Sequence, residues 1–96
     1  MPQDKTRHQI CHDRVQISFD DLADTMEMRL KEKGRGTFAS SHEILGVVTE
    51  EYLELIEAVK LHGNDKAQRV KHELLDIAVA CIFGAACIDE GGMDWL

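Results

Sequence analysis

Apolar side chains recur along this chain at intervals of three and four, not two. Phe19, Leu22, Met26 and Leu30 mark a first helix. The spacing starts it near Ser18, an N-cap followed three residues later by Asp21, and stops it at Gly34 and Gly36. A second helix opens at Ser40-Ser41-His42-Glu43, where Ser40 and Glu43 form a capping-box pattern, and runs to about His62 before Gly63. Asn64 or Asp65 caps a third, which runs to about Asp89 before Gly91-Gly92. Three helices joined by short loops predict an all-α fold, an antiparallel helical bundle. Residues 1 to 17 are polar and aperiodic and read as a flexible N-terminal arm, leaving residues 18 to 96 as a single α-helical domain. There is no internal repeat and no low-complexity segment.

Two places break the apolar pattern. On the second helix, Ile44, Leu45, Val48, Tyr52, Leu55, Ile56 and Val59 form the main stripe, and Glu51 and Glu54 fall at its edge among Val47, Ala58 and Leu61. On the third, Glu73 and Asp76 share the sector of Ile77, Ala80, Phe83 and Cys87. Each helix thus sets an i,i+3 carboxylate pair on or beside a packing surface, with Cβ atoms roughly 5–6 Å apart. Four facing carboxylates repel, and a buried unpaired charge is costly. A hard divalent cation with oxygen ligands resolves that conflict. No histidine or cysteine is expected to join the cluster, which disfavours zinc. Glu-rich helices are commonly a solvated face, and for Glu50 and Glu57 that reading suffices.

Composition narrows the classes. The 96 residues are 44% hydrophobic and 5% aromatic with one proline, a balance suited to helices packed through aliphatic side chains. A domain this short buries proportionally little surface, and the third helix is apolar on nearly all sides, so oligomerisation is expected to complete the bundle. The net charge of −7 argues against a nucleic-acid partner, which calls for a basic face. Ile77 to Ile88 is continuously apolar, but twelve residues do not span a bilayer, so no membrane partner is expected. Cys11, Cys81 and Cys87 are an odd number, two of them inside that apolar run, and read as reduced thiols of a cytoplasmic protein. His8, Cys11 and His12 are too few for a metal site in a loose arm.

Glu50-Glu51-Tyr52-Leu53-Glu54, an 18-residue spacer and then Glu73-Leu74-Leu75-Asp76 resemble the E-E-x-x-E … E-x-x-D motif of the all-α nucleoside triphosphate pyrophosphohydrolases, the MazG-like superfamily. Its relatives include dimeric dUTPases and helical dCTP pyrophosphatases. The resemblance extends from about Ser18 to Asp89. It implies Mg²⁺-dependent hydrolysis of a (d)NTP to the (d)NMP and pyrophosphate, a nucleotide-pool housecleaning activity, in a homodimer or homotetramer. Mn²⁺ is an expected substitute. Carried over, Glu51, Glu54, Glu73 and Asp76 are the expected metal ligands and Glu50 an outer-shell or base-like catalytic residue. Arg69, one turn before Glu73, and Lys66, a turn earlier, are expected phosphate contacts; the alternative for Arg69 is an ion pair with Glu73. For the base, the resemblance points to the first helix and the loop after it, with Phe38 and His42 as stacking or hydrogen-bonding groups, while Phe19 and Trp95 read as core. Val79, Ala80 and Cys81 are small where family members often carry a larger aromatic, a departure that weakens carry-over of any particular base pocket.

Three other readings compete. A ferritin-like di-iron protein needs Glu-x-x-His pairs, and Glu73 is followed by Asp76 instead. A DNA-binding helical module conflicts with the charge. A non-catalytic, metal-stabilised oligomerisation or regulatory module shares the carboxylates and differs only in lacking turnover.

Overall fold

A computed structural model describes residues 7–91, which form three helices and no strand: α1 (His12–Lys33), α2 (Ser41–Val59) and α3 (Lys66–Glu90). Gly92 and Trp95, the latter expected in the core, lie outside the described residues.

The first helix begins at His12, six residues before the expected start, so residues 12 to 17 of the expected arm are helical. Ser18 caps nothing; its hydroxyl donates to the Arg14 carbonyl at 3.2 Å, the back-bonding a serine makes inside a helix. Cys11 holds the N-cap position through its carbonyl, which accepts from Arg14 and Val15. No glycine or proline interrupts the stretch from His12 to Ser18, so nothing prevents the helix from extending backwards. Gly34, with φ 83°, ends it.

Ser40 caps α2 as expected, its hydroxyl accepting the Glu43 N–H at 3.3 Å. The helix closes at Val59, three residues short of His62, because Lys60 and Leu61 donate to the carbonyls three residues back and tighten the last turn. Asp65 precedes α3 without a side-chain cap, and Gly91, left-handed at φ 77°, ends it.

The helices run up, down and up. Ile44 lies against Gly84, and Glu51 and Glu54 lie beside Glu73, so α2 and α3 are antiparallel. Asp21 pairs with Lys71, and Arg29 with Asp76, so α1 runs alongside α3 in the same direction. No Cα of α1 comes within 8 Å of one in α2; both helices pack on α3 alone. The result is a trough, with α3 as its floor, in place of a closed bundle.

The α2–α3 seam is built from small residues. Ala58, Val79, Ala80, Gly84 and Cys87 are buried, and a Cβ on Gly84 would stand 3.0 Å from Ile44 Cγ2. One charged residue, Glu73, is buried with them, 2% exposed. On α2, Ile44, Val47, Val48, Glu51, Leu55 and Ile56 are half-buried and Ala58 is buried, so the packing face takes in four residues of the expected stripe together with most of the sector expected at its edge. The other side of the helix presents Leu45, Tyr52 and Val59, exposed at heptad spacing. Phe19, expected in the core, is also exposed, at 61%. Leu74, Ile82 and Ile88 are exposed on α3. The cysteines are free thiols; Cys87 is buried and its Sγ accepts the Phe38 N–H at 3.4 Å.

Candidate metal centre and groove

Glu51 and Glu54 sit one turn apart on α2, and Glu73 and Asp76 one turn apart on α3. The antiparallel register brings the two turns to the same level. Glu51, Glu54 and Glu73 each offer an oxygen within 4.8 Å of the others. Asp76 forms a second such group with Glu73 and His72. The four carboxylates expected as ligands therefore fall in two overlapping groups that share Glu73, and the charges of Glu54, Asp76 and Glu73 all act on Glu51.

The electrostatics are unfavourable without a cation. Glu73 Oε2 and Glu51 Oε2 are buried and accept no hydrogen bond. The Glu73 side chain is 3% exposed and is compensated only at Oε1, where Arg69 Nε donates at 3.0 Å. Burial pushes the Glu51 carboxyl above the ordinary carboxylate value; the charges of Glu54, Asp76 and Glu73 and a hydrogen bond with Glu54 push it the same way. Asp76, with a side chain 11% exposed, has a partner at each oxygen: Arg29 Nη2 donates to Oδ1 at 2.8 Å, and His72 Nε2 stands 3.3 Å from Oδ2.

This donor set fits a hard divalent cation. Orphaned carboxylate oxygens on two helices face one another, and oxygen donors suit Mg²⁺ or Mn²⁺. The expectation that no histidine joins the cluster is corrected: His72 lies one turn before Asp76 and reaches it. The i,i+4 spacing of His72 and Asp76 was the sequence signal for that pairing. His72 adds a nitrogen donor at the outer rim, where it is half-exposed.

A groove of about 330 Å³ adjoins the cluster. Met26, Leu30 and Lys33 of α1 form one wall, Val47 and Glu43 of α2 the other, and Val79, Ala80 and Phe83 of α3 the floor. Arg29, Glu51 and Asp76 line the groove as well and join it to the carboxylates. Phe38 lines it from the connection after α1, its ring set edge-on to Phe83 at 5.2 Å and 83°. The small residues Val79 and Ala80 leave the floor open.

The remaining expected residues are placed less centrally. Glu50 is exposed and belongs to neither ligand group. Arg69 makes the intrahelical pair with Glu73. Lys66 begins α3, one turn before Arg69, and is half-buried. His42 is exposed in the first turn of α2 and is not among the groove residues. Arg29 was missed from sequence. It lies on the sector of α1 that carries Leu22 and Met26, and a cation on the apolar face of a helix was the available signal.

No family model matches the chain, and neither a curated protein nor a solved structure matches it. Among the described residues, no helix is long and apolar enough to cross a membrane.

Proposed function

We propose that this protein is a cytoplasmic, metal-dependent nucleoside triphosphate pyrophosphohydrolase of the MazG-like type, cleaving a (d)NTP to the (d)NMP and pyrophosphate. The observation that carries the reading is the meeting of Glu51, Glu54, Glu73 and Asp76 around two buried, unpartnered carboxylate oxygens at the end of a partly apolar groove. Glu51, Glu54, Glu73 and Asp76 would hold Mg²⁺, or Mn²⁺ in its place. The cation supplies neutralisation of phosphate charge and activation of water. The chain's own residues do the rest. Phe38 and Phe83 offer an aromatic surface to a base, and the apolar walls exclude water from it. Lys33 lines the groove and offers a cation to phosphate. Arg69 orients Glu73, and Glu50, exposed and outside both ligand groups, is the residue proposed to accept a proton from water.

The exposed rows Leu45, Tyr52, Val59 and Leu74, Ile82, Ile88 support assembly with a second copy, a homodimer or homotetramer, which would bury them. The test is incubation of the purified protein with a panel of normal and modified (d)NTPs, in Mg²⁺ or EDTA, with products resolved by chromatography. Metal-dependent monophosphate plus pyrophosphate is the expected result. An intact oligomer that turns over none of them would leave the carboxylates as a structural metal site in a non-catalytic module.

A further inference from the structure

We propose that Arg29 is a resident counter-ion of the carboxylate cluster, exchanged for a divalent cation at Asp76 and thereby released to hold a phosphate oxygen of the ligand. The proposal rests on the metal-dependent reading of this site.

The argument starts from which oxygens are committed. Glu51 Oε2 and Glu73 Oε2 have no partner and are ready to accept a cation. Asp76 is not. Its Oδ1 holds the Arg29 guanidinium at 2.8 Å and its Oδ2 faces His72 at 3.3 Å. An ion at Asp76 must therefore share an oxygen with one of these partners or displace it. Arg29, not His72, lines the groove with Asp76 and Glu51, so Oδ1 is the oxygen on the ligand's side. His72 lines a separate depression with Asp21 and Lys71.

Arg29 is well placed for exchange. It comes from α1, 47 residues away in sequence, and its side chain is 23% exposed. Its second nitrogen donates to Glu32 at 3.1 Å, an anchor on its own helix that does not depend on Asp76. A divalent ion beside Asp76 repels the guanidinium and takes over its carboxylate. The freed fork, still tethered by Glu32, faces the groove with donors matched to phosphate geometry. Cation and phosphate then favour each other's binding, since each removes the partner that blocks the other. A simple structural arginine would produce no such reciprocity.

Isothermal titration of the full chain tests this with two probes, Mn²⁺ alone and inorganic pyrophosphate at saturating Mn²⁺. Arg29→Gln is expected to bind Mn²⁺ about tenfold more tightly and pyrophosphate about tenfold more weakly, the scale of one charge-assisted hydrogen bond. Lys71→Gln removes an equal charge that pairs with Asp21 instead, and should move both affinities less than about twofold. Circular dichroism checks folding. Should Arg29→Gln misfold, Arg29→Lys carries the test, with shifts of the same two signs and smaller size. Mn²⁺ affinity that is unchanged or weakened in the folded variant overturns the proposal. A wild-type chain that binds no Mn²⁺ overturns it together with the metal-dependent reading. Opposite shifts in the two affinities, with no (d)NTP turned over, would sustain the counter-ion and sink the hydrolase.

Discussion

Arg69 Nε donates to one oxygen of Glu73 at 3.0 Å and leaves the other oxygen of that buried carboxylate with no partner. The pair is lopsided: the arginine side chain is 58% exposed and the glutamate 3%. An exposed i,i+4 pair contributes about 0.3–0.5 kcal/mol. Here removal of the cation strands a buried charge, which raises the cost. Arg69→Gln should therefore destabilise the metal-free protein by about 1–2 kcal/mol in urea unfolding, more than an exposed pair predicts. Saturating Mg²⁺ should narrow the gap. A loss under 0.5 kcal/mol in EDTA would mean that Glu73 is compensated by something other than Arg69.

Glu54→Gln and Asp76→Asn should each lower turnover by at least about a hundredfold while leaving a folded oligomer, because each removes a charged ligand at no cost in volume. Rates within a few-fold of wild type for either variant would take that residue out of the metal site. Size-exclusion chromatography and circular dichroism supply the folding control.

Millimolar Mg²⁺ should raise the melting temperature by several degrees over EDTA, since an ion that binds only the folded chain stabilises it by mass action. An identical midpoint in both buffers would rule out a preassembled carboxylate cluster.

The pH dependence follows from Glu51. Its folded-state value is raised, so between the unfolded value of about 4.3 and the higher folded value the native chain binds more protons than the unfolded one. The corresponding stability is full below the lower value and is lost as pH rises through the upper one. In EDTA, wild type should lose stability across that window relative to Glu51→Gln, which has no carboxyl to ionise. A difference between the two chains that stays constant with pH would contradict the assigned burial of Glu51.

Two glycines should respond in opposite ways. Gly84 faces Ile44 across the α2–α3 seam, and Gly84→Val should cost about 1–3 kcal/mol through overpacking. Gly46 lies within α2 with no atom near a prospective Cβ, and Gly46→Ala should add about 0.5–1 kcal/mol from helix propensity. Thermal melts in EDTA would read both; a stabilising Gly84→Val would show that the seam has room the packing does not suggest.

Much of this was written in the linear chain. Ser40 and Glu43 announced the start of α2, glycines marked the ends of α1 and α3, and the carboxylates stood out because charge sat where α3 is otherwise apolar. What the sequence hid has physical causes. Apolar residues almost encircle α2, so periodicity could not decide whether Val47, Glu51 and Ala58 or Leu45, Tyr52 and Val59 face inward. Small residues settle it, since Ala58, Ala80 and Gly84 are buried along the seam and Gly84 lets Ile44 approach closely where Tyr52 would not fit. Ser18 looked like a cap because a serine hydroxyl serves as readily inside a helix as before one. Arg29 and Asp76 meet only through tertiary structure, and no local spacing connects them.

The trough shape has one more consequence. The backbones of α1 and α2 stay apart, the α2–α3 hairpin carries the four carboxylates by itself, and α1 contributes one wall and a single arginine. On the proposed reading, the cation's ligands and the shape of the groove thus reside on separable parts of the molecule. Substitutions at Met26, Leu30 or Lys33 alter the width and polarity of the groove without displacing any residue that would bind the cation. If the cluster binds a cation as proposed, a chain laid out in this way would change its ligand preferences through its first helix, with the carboxylates of the hairpin left in place.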